Sequence, residues 1–381
     1  MGDPHFDSSF AINGLPLDLL NEILLKLEPK TLAMMRCTNK YFQSYLSDPA
    51  ENCILWARAR ARPSFFDISM YGSLHIYCHP LIFGSCSGLV LLLYTGGLVI
   101  ANPLTKRFRI IDHSKSTLIP TIVDNDTRRT CVGFAVNRNR TTMTFKIVCI
   151  LEMETMETVY GFEISDGDSW RLSETTITDR SNSFLLGMKP VYLDGTLHWL
   201  RNDGSIVAFN PETEQARFIP LIFHRGDPET EQARPKMLIA EDSKKNSLTL
   251  LSGTKENIAV YTLLGDSKWA LAKQIKNMPI DEREDAFWDL VAYDGKCLVV
   301  RDIKMDNFEK VVYVCDIEAN SWRVLGSARV CKHVSHQYLY KITPSLFFVE
   351  EDKQHKVVVA SNDKQISYLN DIMELIDITK Y

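Results

Sequence analysis

No stretch of this sequence is apolar for long enough to cross a membrane as a helix. The longest run, Leu89-Val-Leu-Leu-Leu-Tyr94, is far short of the roughly 20 residues a bilayer requires. Positive charge is not in excess either: 43 Lys and Arg stand against 48 Asp and Glu, for a net charge of −5, which argues against a general nucleic-acid binder. The basic residues that do cluster, Arg58, Arg60 and Arg62, then Arg128, Arg129, Arg138 and Arg140, have no aromatics interleaved as stacking platforms and read as solvated faces. Cys-x-x-Cys pairs are missing. Nine cysteines, an odd number spread from Cys37 to Cys331, fit reduced thiols used as small core side chains, so the Asn-x-Thr sequons at Asn125 and Asn139 carry little weight. The first ten residues lack the basic start and apolar core of a signal peptide. Together these absences lead to the expectation of a cytoplasmic or nuclear protein without membrane or nucleic-acid partners.

Catalytic motifs are equally scarce. Gly84, Gly88 and the pair Gly96-Gly97 are not followed by Lys-Ser or Lys-Thr, so no phosphate loop forms. There is no Gly-x-Ser-x-Gly elbow and no His-Glu-x-x-His. His75, Cys78, His79 and Cys86 lie close in sequence, but at the spacing of no zinc finger or ribbon. No catalytic residue, metal or cofactor is expected.

What is present begins at Leu15. Leu20, Ile23, Leu24 and Leu27 recur at helical spacing, with Leu19 widening the stripe. Pro16 suits the first helical position, Asp18 and Glu22 sit near the positive end of the helix dipole, and Pro29 stops the helix. Thr31 and Asn39 can cap two further short helices. Three helices in about 35 residues cannot bury a full core alone, so their apolar face calls for a partner. The ordered set Leu15, Pro16, Asp18, Leu19, Glu22, Ile23, Leu24, Lys30, Thr31, Leu32, Arg36, Cys37, Lys40 and Tyr41 resembles the F-box. That resemblance implies docking on a Skp-type adaptor and, through it, on a cullin-based ubiquitin ligase. Leu15, Pro16, Leu19, Ile23, Leu24, Leu27, Leu32 and Cys37 are the residues expected at the adaptor surface or in its immediate support.

After residues 51–62, which read as a linker helix ended by Pro63, the pattern changes to short runs rich in Val, Ile, Tyr and Phe, punctuated by Gly, Asp and Asn. These runs repeat. The segments Leu98-Val-Ile-Ala-Asn102-Pro-Leu-Thr and Ile206-Val-Ala-Phe-Asn210-Pro-Glu-Thr share one plan, and three others place Trp where these place Phe. The marker aromatics Phe108, Trp170, Phe218, Trp269 and Trp322 are separated by 62, 48, 51 and 53 residues, the period of a kelch-type propeller blade. A blade cannot bury both faces alone, so the marker aromatic is expected to pack on the next blade, and the Asn or Asp before it to make a hairpin turn. Asp194-Gly195 and Asp294-Gly295 supply turns between inner strands, and Trp199 and Trp288 read as core or inter-blade residues.

The kelch glycine pair is missing from most copies. The order Gly84-Ser-Cys86-Ser-Gly88-Leu-Val, Asn102-Pro-Leu-Thr-Lys-Arg, Val132-Gly-Phe134 and Leu193-Asp-Gly195-x-Leu-His198-Trp199-Leu instead resembles the plant F-box-associated domain. The fold expected is an α+β multidomain chain: a small all-α F-box over residues 10–50, a linker over 51–74, and an all-β propeller-like domain of about six blades over 75–379, the last blade from a tail copy at 346–376. The resemblance implies a non-catalytic substrate receptor that holds a target protein on its propeller. A propeller scaffold with a helical cap is the alternative, and a propeller hydrolase or lyase a more distant one. The identical segments Pro211 to Arg217 and Pro228 to Arg234 read as a local duplication in a loop, or as a duplicated acidic recognition loop.

Overall fold

The computed structural model describes residues 64–66, residues 81–329 apart from parts of the connecting loops, and residues 340–342. Strand β1 (Ser64–Phe66) comes first. Blade 1 comprises β2 (Leu81–Cys86), β3 (Leu89–Tyr94), β4 (Gly97–Asn102) and β5 (Arg107–Ile111). Blade 2 comprises β6 (Thr130–Arg138), β7 (Met143–Glu154), β8 (Thr158–Ser165), β9 (Trp170–Leu172) and β10 (Ile177–Asp179), the last two both pairing with β8. Blade 3 is β11 (Val191–Leu193), β12 (Thr196–Leu200), β13 (Ile206–Asn210) and β14 (Gln215–Ile219). Blade 4 is β15 (Lys236–Asp242), β16 (Ser247–Gly253), β17 (Asn257–Leu264) and β18 (Lys268–Lys276). Blade 5 is β19 (Phe287–Tyr293), β20 (Cys297–Lys304), β21 (Glu309–Asp316) and β22 (Ser321–Arg329), and β23 (Tyr340–Ile342) follows it.

Each blade is an antiparallel sheet in chain order, and its first strand lies beside the first strand of the next: β2 by β6, β6 by β11, β11 by β15, β15 by β19. That is a β-propeller, with the first strands innermost. Five blades are described, where the repeat count gave six; the expected tail copy at 346–376 lies outside the described residues, as do the F-box region and the linker helix. β1 pairs with β23 in a separate two-stranded sheet.

Because side chains alternate along a strand, every blade has two apolar faces, and neighbours share a core at each junction. In blade 1, Leu89, Leu91, Leu98 and Ile100 pack with Val132, Phe134 and Ile147 of blade 2. Phe162 stacks on Phe209 with ring centroids 4.1 Å apart, joining blades 2 and 3. Two glycines permit close approach. A Cβ on Gly133 of β6 would come within 2.8 Å of Leu197 and Trp199 of blade 3, and one on Gly253 of β16 within 2.8 Å of Trp288 of blade 5. Trp199 and Trp288 are thus inter-blade core residues, as their strand positions suggested.

The marker tryptophans do one repeated job. Trp170 donates its indole N–H to the Asp112 carbonyl at 2.7 Å, Trp269 to Pro220 at 3.2 Å, and Trp322 to Lys276 at 3.1 Å. Each acceptor lies at the end of the outer strand of the preceding blade. The sequence expectation had the direction reversed: the aromatic latches backwards, because the indole leans off the outer strand towards a carbonyl at the end of the earlier blade's outer strand. Phe218 has no N–H, and packs edge-on against Tyr160 of blade 2 instead.

Candidate partner-binding surfaces

The residues expected to meet an adaptor, Leu15, Pro16, Leu19, Ile23, Leu24, Leu27, Leu32 and Cys37, all lie outside the described residues, so the geometry that follows is that of the propeller. Of the four residues with metal-like letters, only Cys86 is described. Its thiol is pushed up to about 11 by burial, so it is protonated at neutral pH.

In an up-and-down blade the turns after the first and third strands share one end of the propeller. Among the described residues those turns are tight, and several are chemically alike. Ser87 and Gly88, and Asp194 and Gly195, all have positive φ, the signature of a two-residue hairpin whose twist matches the strands. Asp294 accepts hydrogen bonds from the N–H groups of Lys296 and Cys297. Before the outer strands, Asp166 accepts from Asp168 and Ser169, Asn210 from Glu212 and Thr213, and Asp316 from Glu318 and Ala319. These Asx turns are what the repeated Asn-Pro-x-Thr and Asp letters encode. Asn246 reaches across to Asp194 at 2.9 Å, tying the turn of blade 4 to that of blade 3. The described turns at this end are short.

At the rim of that face lies a groove of about 480 Å³. Thr175, Thr196, Asn210, Glu214, Gln215 and Arg217 line it, so it offers polar groups of both charges. The first copy of the duplicated segment forms it: Asn210 and the residues that follow it make the turn, and Glu214 at its end takes a positive φ of 54°. Glu214 then joins blade 3 to blade 2. It pairs with Arg171, accepts from Ser173 Oγ at 2.7 Å, and its carbonyl accepts from Thr175 Oγ1 at 2.6 Å. The hydrogen bond from Arg171, then that from Ser173, hold its carboxyl below the usual range. The second copy lies outside the described residues.

Three buried polar side chains inside the blades are tied to their surroundings. His198, on the β12 face that abuts blade 4, sets Nδ1 3.2 Å from the Val191 carbonyl, and burial pushes its pKa down to about 4. It is neutral at pH 7. Glu163 accepts from Ser116 Oγ at 2.6 Å and from the Thr117 N–H at 2.7 Å, pinning the segment after blade 1 to blade 2. Arg201 pairs with Asp179, hydrogen-bonds Ser205 Oγ at 3.0 Å, and stacks over Tyr160 and Phe218. Sequence reasoning passed over Glu163 and Arg201, since their partners lie 47 and 22 residues away. The thiols of Cys149 and Cys315 are raised by burial, Cys315 to about 11. What this arrangement can do chemically is present a face of short turns and a polar rim groove; among the described residues no group of three or more His, Cys, Asp and Glu is placed to hold a metal.

Comparison with known proteins adds the part of the chain the geometry leaves out. Residues 12–53 match the F-box domain, and residues 78–260 match the F-box associated beta propeller domain. An F-box/kelch-repeat protein of Arabidopsis thaliana is 55% identical over 98% of this chain and 98% of its own length. An F-box protein of the same plant is 52% identical over 72% of this chain and 95% of its own. A further F-box protein of Arabidopsis thaliana is 41% identical over 91% of this chain and 88% of its own.

Proposed function

Because this chain belongs to the F-box proteins that carry an F-box associated β-propeller domain, we propose that it is a substrate receptor of a Skp-cullin-F-box ubiquitin ligase. The observation that carries the reading is the order of the two modules, an F-box match at residues 12–53 followed by a propeller. In this reading the F-box holds a Skp-type adaptor, and through it a cullin, while the propeller holds a target protein. Catalysis is by proximity, because tethering raises the local concentration of target lysines near the charged ubiquitin carrier. The chain itself supplies no nucleophile, and it works in the cytoplasm or nucleus.

Leu15, Pro16, Leu19, Ile23, Leu24, Leu27, Leu32 and Cys37 are assigned to the adaptor surface or its support, where each buried Leu or Ile contributes about 1.5–3 kcal/mol before ordering costs. On the target side the latched blades and Asx-turned hairpins favour a preorganised face, which spares the entropy of ordering loops on binding. The test is a binding assay with a Skp-type adaptor, run beside a chain carrying Leu15→Ala, Pro16→Ala and Ile23→Asp. Tight binding by the parent, lost in the variant while its far-ultraviolet circular dichroism still shows an intact β-domain, is the expected result. No binding by either chain overturns the assignment and leaves the helices as a structural cap.

A further inference from the structure

The outermost strand of each blade keeps one edge unpaired among the described strands, and an unpaired edge is a template for another chain. The blades differ in what that edge carries. β5 exposes no large apolar side chain, β14 keeps Ala216 and Phe218 half-buried, and β9 and β10 span three residues each. β18 spans nine, and along it Lys268, Leu271, Ala272, Gln274 and Lys276 are exposed. Its register explains why. Tyr261 faces Leu271 while Val260 faces Lys273, so Ala272 is an extra residue, a β-bulge that bends the strand. Before the bulge Trp269 turns into the junction with blade 3, and Leu271, two residues on, stands on the same side of the sheet at 56% exposure. After it Ile275 packs towards blade 5, and Lys273 Nζ reaches the Ile317 carbonyl. β22 repeats the arrangement: Trp322 is followed by Val324 and the bulge residue Leu325, at 59% and 58% exposure. Neither strand holds Asp or Glu, against three Lys in β18 and two Arg in β22, in a chain whose net charge is −5.

Charge chooses the occupant. A second copy of β18 laid antiparallel about Ala272 would set Lys268 opposite Lys276, and like charges facing each other across a ladder destabilise it. A lipid headgroup would meet the lysines but offers the strand edge no backbone N–H or C=O. An extended protein segment with acidic side chains satisfies both. We propose that the outer edge of β18 receives an extended acidic segment of a partner protein as a fifth strand of blade 4. An apolar side chain of that segment lies on Leu271, and its carboxylates meet Lys268 and Lys276. The strand rise sets those two lysines about 25 Å apart, so the segment is about nine residues long. As the docking place of a ligase target the edge rests on the receptor reading; the edge itself is tested without an adaptor, so the two fail separately.

The test is fluorescence anisotropy with the full chain and a labelled nine-residue peptide of alternating Glu and Val, matched in length to β18, beside a peptide of alternating Lys and Val. Hydrogen exchange is measured on the complex. The expected result is that the Glu-Val peptide binds and slows exchange at the β18 amides that β17 leaves unpaired, and that the Lys-Val peptide does not bind. Leu271→Asp, and separately Lys268→Glu with Lys276→Glu, are expected to weaken binding about tenfold each. The circular dichroism of both variants stays that of the parent, because all three side chains are exposed. No binding, or binding that these substitutions leave unchanged, overturns the proposal, and the lysines and the bulge then only keep the edge from pairing. Binding without slowed exchange in β18 overturns it as well. So does protection of β18 by phosphatidylserine vesicles and not by the peptide, because a membrane surface is then the occupant.

Discussion

At the scale of single residues, His198 shows how burial turns a titratable group into a pH-dependent liability. It is 5% exposed, held neutral between blades, with a pKa lowered from 6.5 to about 4. In the unfolded chain the same imidazole titrates near 6.5, so between pH 6.5 and 4 the unfolded state binds the extra proton and stability falls with pH. The loss reaches roughly 3 kcal/mol by pH 4. Glu214 and Asp166, whose carboxyls are held low by hydrogen bonds, lose their contribution only as pH drops further, through their lowered folded values. Urea midpoints measured from pH 7.5 to 4 are therefore expected to decline in the parent and to flatten over this window in His198→Gln. An unchanged slope in the variant would assign the decline to other groups.

At the scale of the element, the outer strand matters more for where its first aromatic reaches than for its own pairing. Trp170, Trp269 and Trp322 each close a junction with one N–H, while the junction between blades 2 and 3 is closed by Glu214 with Arg171, Ser173 and Thr175. Two solutions to one problem sit side by side in the same ring. Trp269→Phe keeps an aromatic ring in the blade 3–4 core but leaves the Pro220 carbonyl without its donor, which costs about 1 kcal/mol and lowers the urea midpoint. Glu214→Ala is expected to cost less than about 1 kcal/mol, since its pair with Arg171 is solvent-screened; comparing the two midpoints checks the ranking. The Asx turns were readable from Asp166, Asn210 and Asp316 because the turn is made within four residues. The backward direction of the latch was not, because it depends on which blade the indole meets.

At the scale of the whole molecule, a propeller of latched blades is approximately a chain of nearest-neighbour interfaces. Cys86 and Cys315 are both pushed up to about 11 by burial, so neither supplies a thiolate. Under the proposed receptor role, a reconstituted ubiquitination reaction is thus expected to proceed with Cys86→Ser and Cys315→Ser chains that fold as it does with the parent, and to fail with the Leu15, Pro16 and Ile23 variant. A thiol variant that folds, binds adaptor and fails to transfer would contradict the scaffold role.

Repeats and local turns were legible without coordinates: the fifty-residue period, the strand-rich middle of the chain, the hairpins at Asp194-Gly195 and Asp294-Gly295, and the inter-blade placing of Trp199 and Trp288 all follow from patterns a few residues long or from their recurrence. The ordered F-box letters from Leu15 to Tyr41 belong to the same class. Tertiary structure alone decided which partner each of these residues meets. It set Gly133 under Leu197 and Trp199, brought Glu163 to Ser116 and Arg201 to Asp179, and aimed every latch at the preceding blade. The reason is physical: period and turn chemistry are local properties of the chain, whereas contacts between blades depend on how twisted sheets pack once the ring has formed.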